Sequence, residues 1–129
     1  MNILIIDDSE FIHDSFKILS IDIVSHCKFQ YVFNGLAALE ILREKKKNKE
    51  KEFDLIFCDI DMPLMNGMEF YKKAQEEMPE YIEKIIFVSA SMAADVNAFR
   101  KSIKNRWFEK PFKFEDIVGV LGKEKINKS

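Results

Sequence analysis

The sequence lacks the features that mark several classes of protein. It has no run of about 18 apolar residues, so it offers no candidate transmembrane helix. The first residues carry neither a basic segment nor an A-x-A cleavage site, and we therefore expect no signal peptide. The two cysteines, Cys27 and Cys58, are too few for a disulfide scaffold. We expect both thiols to be reduced and buried in the core of a cytoplasmic protein.

The sequence also contains few glycines and prolines, and its net charge is close to zero. Four Gly and three Pro exclude collagen-like and linker-rich classes. The 20 Lys and Arg residues nearly balance 22 Asp and Glu, which gives no global electrostatic reason to bind nucleic acid or a membrane surface. Apolar residues, in contrast, make up 47% of the 129 residues and include 12 Phe, enough for the core of one domain.

Short apolar runs alternate with segments of helical length. The runs at residues 3–6, 53–58 and 85–88 predict strands that are buried on both faces, and weaker strand candidates lie at 28–33 and 107–109. Helical spacing predicts helices at residues 9–19, 36–44, 66–78, 93–104 and 113–121. Five strand–helix repeats predict an α/β fold: a doubly wound, five-stranded parallel sheet with helices on both faces.

Polar side chains follow four of the predicted strands. In an open parallel sheet, ligands bind beyond the carboxyl ends of the strands, so these side chains should meet at one edge. Clustered carboxylates favour a hard cation such as Mg²⁺, and a nearby lysine suits phosphoryl transfer. The residues that follow the strands are Asp7 and Asp8, Asp59 and Asp61, Ser89 and Ala90, and Lys110 and Pro111.

These motifs, in this order, resemble the response-regulator receiver domains of two-component signalling, the CheY-like type. The resemblance covers residues 2–121 and implies a flavodoxin-like (βα)5 fold with strand order 2-1-3-4-5. The motifs that carry it are Asp7-Asp8, Asp59 followed by Met62-Pro63 and Asn66-Gly67, Ser89-Ala90, and Lys110-Pro111-Phe112.

The resemblance implies a role for each acid at this edge. It makes Asp59 the phosphoacceptor, which takes a phosphoryl group from a phosphohistidine in a Mg²⁺-dependent (or Mn²⁺-dependent) reaction. It makes Asp7, Asp8 and Asp59 the metal-binding acids, with Asp8 a direct ligand and Asp7 acting largely through water. It makes Asp61, two positions after the acceptor, a metal ligand through its backbone carbonyl.

The resemblance also implies how the phosphoryl group is bound and sensed. Ser89, Ala90 and Lys110 would bind it, and Ser89 and Trp107 would form the switch that alters a protein-binding surface around the fourth helix, fifth strand and fifth helix. Trp107 stands where the family more usually has Tyr or Phe. Three further residues are implied to be structural: Pro63, Gly67 and Pro111.

Partners and domain limits are also implied. Residues 1–122 would form the receiver domain and 123–129 a polar C-terminal tail. The donor would be a sensor histidine kinase or a histidine phosphotransfer protein, with an unknown downstream protein target and no nucleic acid or membrane. The chain would be a signalling phosphoacceptor in the cytoplasm and not an enzyme.

Other interpretations remain open at this stage. The chain could be a receiver fragment of a larger hybrid kinase or regulator. Asp59-x-Asp61 also resembles the nucleophile motif of haloacid-dehalogenase phosphatases, which use Mg²⁺, and the same fold hosts flavin-binding modules. A phosphorylation-independent binding module is a further alternative. Two features are assigned no chemistry: the charge run at residues 45–52 is expected to be solvated, and His13 is expected on a helix surface.

Overall fold

The computed structural model describes residues 1–22 and 26–128. Five parallel strands form one sheet in the order β2-β1-β3-β4-β5, as predicted. The strands are β1 (Asn2–Ile6), β2 (Lys28–Val32), β3 (Leu55–Cys58), β4 (Ile85–Ser89) and β5 (Trp107–Glu109). The helices are α1 (Glu10–Asp22), α2 (Gly35–Lys47), α3 (Gly67–Glu77), α4 (Ala94–Ser102) and α5 (Phe114–Lys128). A 3-10 helix covers Pro79–Lys84.

Alternation along the central strands divides the core into two clusters, one on each face of the sheet. On one face, Leu4, Ile56 and Phe87 pack with the apolar sides of α2 and α3. On the other face, Ile5 and Phe57 pack with residues of α1 and α5. Successive side chains of a strand point to opposite faces, so a continuous apolar run fills both clusters.

Asparagine side chains fix the starts of two helices. Asn34 accepts a hydrogen bond from the Ala37 amide at 2.8 Å. Asn66 and Glu69 form a capping box, in which each side chain accepts a hydrogen bond from the other residue's backbone amide. Such caps satisfy amides that have no partner within the helix. The predicted starts of α2 and α3 are therefore correct to within one residue.

Several boundaries differ from the predicted ones. β3 begins at Leu55 and not at residue 53, and just before it the Asp54 side chain accepts a hydrogen bond from the Asn2 amide at 2.7 Å. The 3-10 helix was not predicted. α5 continues to Lys128, so most of the segment predicted as a polar tail is helical, while Ser129 lies outside the described residues.

The surface position predicted for His13 is wrong. His13 is buried on the inner side of α1, where its ring centroid lies 4.5 Å from that of Phe33 and 5.2 Å from that of Tyr31. Burial lowers the pKa of this imidazole and favours its neutral form. Cys27 and Cys58 are reduced thiols and are buried, as expected.

No helix within the described part of the chain is both long enough and apolar enough to cross a membrane.

Candidate functional site

Backbone hydrogen bonds that extend the sheet hold the polar residues at its carboxyl edge. The Asp7 amide donates to the Val32 carbonyl at 3.1 Å, and the Asp59 amide donates to the Ile6 carbonyl at 2.8 Å. The Lys110 amide donates to the Ser89 carbonyl at 3.0 Å. The loops after β1, β3 and β5 therefore leave the sheet at fixed positions, and their side chains converge as the sequence predicts.

Three carboxylates form a compact acidic cluster. One oxygen from each of Asp7, Asp8 and Asp59 lies within 4.8 Å of the others. Asp7 and Asp59 are buried, whereas Asp8 is exposed. Oxygen ligands at this spacing fit a hard divalent cation that keeps several of its waters, as Mg²⁺ does. The Asp61 side chain is exposed and does not belong to this cluster.

Lys110 is the positive charge beside these acids. Its Nζ atom lies 2.8 Å from Asp7 Oδ2 and 3.5 Å from Asp59 Oδ2. Burial favours the neutral amine, but the hydrogen bond to Asp7 and the two negative charges outweigh burial and raise the pKa of Lys110. The lysine therefore remains an ammonium group at neutral pH. The peptide bond that follows it, to Pro111, is cis.

Asp59 is the acid whose ionisation the fold perturbs most clearly. Burial and the nearby Asp7 charge raise its pKa to about 6, against the opposing effects of Lys110 and of the Ile60 amide. That amide donates to Asp59 Oδ1 at 2.8 Å. The other oxygen, Oδ2, faces Lys110. The two oxygens of Asp59 are thus distinguished by their surroundings.

Gly67 packs directly behind Asp59. Its amide donates to the Ile60 carbonyl at 2.9 Å, and a Cβ atom placed on Gly67 would lie 2.2 Å from the Asp59 carbonyl oxygen. Only glycine allows this approach of α3 to the end of β3. Pro63 lies in the same loop, where its carbonyl accepts a hydrogen bond from Met65 at 2.7 Å.

Ser89, Ala90 and Trp107 lie on the side of the sheet that β4 and β5 form. Ser89 is buried at the end of β4, and its Oγ accepts a hydrogen bond from the Ser91 amide at 3.0 Å. All three residues line a cavity of about 150 Å³ together with Lys110. The structure therefore brings the predicted switch residues to one cavity.

Sequence reasoning missed two parts of this edge. His13 is buried close to Asp7, which acts on its pKa through a backbone hydrogen bond and its negative charge, and its spacing of three residues from the buried Phe16 is the signal that could have indicated burial. The second part is an ion pair between Arg100 and Glu109 beside Trp107. No local sequence pattern predicts this pair, because helix α4 and strand β5 meet only in the folded chain.

Comparison with known proteins agrees with this geometry. The family model of the response regulator receiver domain matches residues 3–121. The chain belongs to the response regulator receiver family. Receivers are signalling phosphoacceptors of two-component systems, and the resemblance found in the sequence is confirmed.

Individual relatives match the receiver over nearly its whole length. The chemotaxis protein CheY of Listeria monocytogenes is 30% identical over 125 residues, which cover 95% of this chain and 97% of that protein. CheY of Thermotoga maritima is 31% identical over 126 residues, with 94% of each chain covered. A CheY-like receiver domain protein of Methanospirillum hungatei has a solved structure with a TM-score of 0.75 and 26% identity, covering 98% of this chain and 94% of that one.

Proposed function

We propose that this receiver accepts a phosphoryl group on Asp59 from a phosphohistidine of a sensor histidine kinase or histidine phosphotransfer protein. The observation that carries the proposal is the position of Lys110 Nζ, which lies 3.5 Å from Asp59 Oδ2 within the acidic cluster. Phosphoryl transfer depends on positioning and on neutralising charge more than on acid–base chemistry, and this edge supplies both. The same donor class implies a cytoplasmic location, which stays a prediction.

The acidic cluster fits Mg²⁺ or Mn²⁺ as the cofactor. The carboxylates of Asp7, Asp8 and Asp59 would hold the ion, and we assign the backbone carbonyl of Asp61 as a further ligand from the family resemblance. When bound, the ion neutralises negative charge on the acids and on the phosphoryl oxygens.

The reaction then uses Asp59 as a nucleophile. Oδ2 attacks phosphorus, the bond between phosphorus and the donor imidazole breaks, and the imidazole leaves with the bonding electron pair and takes a proton from solvent. Lys110, already beside Oδ2, pairs with the transferred phosphoryl oxygens. The Ser89 hydroxyl and the backbone at Ala90 line the cavity on the same side and are assigned to bind the phosphoryl group.

Phosphorylation would change a protein-binding surface of the receiver. Movement of Ser89 towards the new phosphoryl group would let Trp107 repack in the cavity that both residues line. The faces of α4, β5 and α5 would then bind a downstream protein differently. A phosphoryl group that stabilises one of two arrangements in this way acts as a population switch.

Incubation with acetyl phosphate and Mg²⁺ should add one phosphoryl group to the wild-type protein and none to Asp59→Asn. The amide cannot supply the anionic oxygen that attacks phosphorus. Intact-mass spectrometry measures the adduct, and Asp116→Asn, at an exposed acid on α5, is the matched control that should be modified like the wild type. A phosphoryl adduct on Asp59→Asn would contradict the assignment of the acceptor.

The raised pKa of Asp59 predicts that Mg²⁺ binding depends on pH. The ion must displace the proton of Asp59, whose pKa is about 6, so the affinity should fall as the pH falls below that value. Between about pH 7 and about pH 5 we expect a loss of roughly tenfold. Calorimetric titration with Mg²⁺ measures this, and Asp59→Asn should show no such loss over the same range. An unchanged wild-type affinity would contradict the prediction.

An apolar groove beside the acceptor is the proposed docking site for the phosphohistidine-bearing helix of the donor. The groove has a volume of about 530 Å³, and Lys110 links it to the phosphoacceptor site. Phe11 from α1 and Phe112 from the loop after β5 line it, and Phe11 is 76% exposed. Large exposed aromatic side chains are typical of sites where a protein partner binds.

Phe11→Asp should therefore slow phosphoryl transfer from a protein donor by roughly tenfold, because the charge opposes docking of an apolar helix face. Acetyl phosphate needs no docking, and the rate with this donor is the reference for correct folding. The two rates are compared by intact-mass spectrometry. An equal loss with both donors would show damage to the site itself and would contradict a docking role.

A further inference from the structure

Trp107 is held between the core and a charged side chain. Its ring centroid lies 5.2 Å from that of Phe87 and 6.4 Å from that of Phe99, both in the core cluster on the same face of the sheet. The Arg100 guanidinium lies 5.2 Å from the centroid of the indole, in the range of a cation–π interaction. The indole therefore contacts apolar rings and one cation.

Arg100 is in turn anchored to strand β5. Its Nη1 atom donates to Glu109 Oε1 at 3.0 Å. Glu109 lies two residues after Trp107, so both side chains project from the same face of β5, whereas Phe108 between them packs in the opposite cluster. The arginine from the last turn of α4 thus bridges an indole and a carboxylate on one strand.

The ion pair alone is too exposed to contribute much stability. The side chains of Arg100 and Glu109 are 42% and 77% exposed, and exposed pairs of this kind are weak because water and salt screen them. Its effect is local, since one ordered guanidinium makes both the ion pair and the contact with the indole. The pair therefore favours the observed position of Trp107 more than it favours the fold.

A cavity beside Trp107 offers the indole a second position. The cavity of about 150 Å³ that reaches Ser89 is lined by both Trp107 and Arg100. An indole that moved into this cavity would give up its present geometry against Phe87 and Phe99 and against the guanidinium, which itself lines the cavity. The energy of those contacts therefore enters the balance between the two positions.

We propose that Arg100 and Glu109 form a latch that holds Trp107 in its observed position and so sets the resting balance of the switch. The inference rests on the proposed function, in which Trp107 moves when the acceptor site is occupied. A latch of this kind lowers the population of the state that binds a phosphoryl group well, and the apparent affinity for a phosphoryl analogue falls with that population.

The test measures binding of beryllofluoride in the presence of Mg²⁺ by calorimetry, with Trp107 fluorescence recorded in parallel. Trp107 is the only tryptophan, so the fluorescence reports on this side chain. Arg100→Gln and Glu109→Gln should each bind beryllofluoride about two- to fivefold more tightly than the wild type. Arg43→Gln is the matched control, because Arg43 forms a bidentate pair with Glu77 between α2 and α3 and should bind like the wild type.

The outcomes separate the latch from the function on which it rests. Wild-type protein that binds no beryllofluoride would contradict the proposed function. Wild-type binding with unchanged or weaker binding by Arg100→Gln would overturn the latch alone. Tighter binding by Arg100→Gln with wild-type binding by Glu109→Gln would overturn the anchoring role of Glu109. Wild-type binding with no change in Trp107 fluorescence would contradict the switch role of Trp107 in the proposed function and would overturn the latch with it, because the indole would not move.

Discussion

Replacing Lys110 with methionine is expected to slow phosphorylation of Asp59 by acetyl phosphate roughly 100-fold, the usual effect of removing one group that stabilises charge in a transition state. Methionine keeps the apolar stem and removes the ammonium that lies 2.8 Å from Asp7 and 3.5 Å from Asp59. Two effects add. The variant lacks the positive charge that stabilises the transferring phosphoryl group, and it lacks the charge that favours the ionised form of Asp59.

The second effect follows from the ionisation of Asp59. Burial and Asp7 raise the pKa of this carboxyl group, and Lys110 is the first of the opposing influences. Without the lysine the pKa should rise above its present value of about 6, so that less of the protein carries the nucleophilic carboxylate at neutral pH. The pH at which the phosphorylation rate is half-maximal should therefore move upward in Lys110→Met.

The matched control for this variant is Lys113→Met. Lys113 is an exposed lysine in the loop that links β5 and α5, three residues after Lys110. Its replacement removes the same net charge without touching the acidic cluster, and its phosphorylation rate should equal that of the wild type. Equal slowing in both variants would show that only the overall charge matters, and it would contradict the role of Lys110.

Replacing Gly67 with alanine is expected to lower the free energy of unfolding by roughly 3 kcal/mol, the upper end of the usual range for overpacking. The added Cβ would lie 2.2 Å from the Asp59 carbonyl oxygen and 3.0 Å from Ile60 Cα, both backbone atoms that cannot rotate away. Relief requires α3 to move from the end of β3. We therefore expect Asp59 to be displaced and its phosphorylation to be slowed in the same variant.

Gly119→Ala is the control for replacing glycine with alanine at a site without crowding. Among the described residues, a Cβ at Gly119, on α5, would have no heavy atom within 4 Å beyond its chain neighbours and the nearby backbone of its own helix. Alanine favours helix over glycine by about 0.8–1.0 kcal/mol, so this variant should be slightly more stable than the wild type. Urea denaturation followed by circular dichroism measures both variants. A Gly67→Ala protein as stable as the wild type would show that the loop adjusts without cost.

The sheet could be predicted from the sequence because its strands are short apolar runs that end at polar residues. In β4 every residue is buried, as expected for a strand of a parallel sheet that is covered on both faces. The site followed from the same pattern, since parallel strands end at one edge and Asp7, Asp59 and Lys110 come directly after three of them. The alternation of runs and helices was enough to predict a parallel sheet, whereas its strand order 2-1-3-4-5 was implied by the family resemblance.

Features that depend on contacts between distant elements could not be predicted in this way. Arg100 and Glu109 meet across α4 and β5, and Phe11 and Phe112 line one groove from α1 and from the loop after β5. His13 was misplaced because a polar residue on an amphipathic helix usually faces water. Here it lies against Tyr31 and Phe33, whose rings make that side of α1 a buried face.

The most direct test of Asp59 as the phosphoacceptor is to locate the phosphoryl group chemically. Borohydride reduces an acyl phosphate to an alcohol, so phosphorylated Asp59 would be converted to homoserine and found by tandem mass spectrometry of the peptide that contains it. We predict homoserine at position 59 after treatment with acetyl phosphate and Mg²⁺, and aspartate at that position when either reagent is omitted. Homoserine in place of Asp7 or Asp8, with aspartate retained at position 59, would show that Asp59 is not the phosphoacceptor.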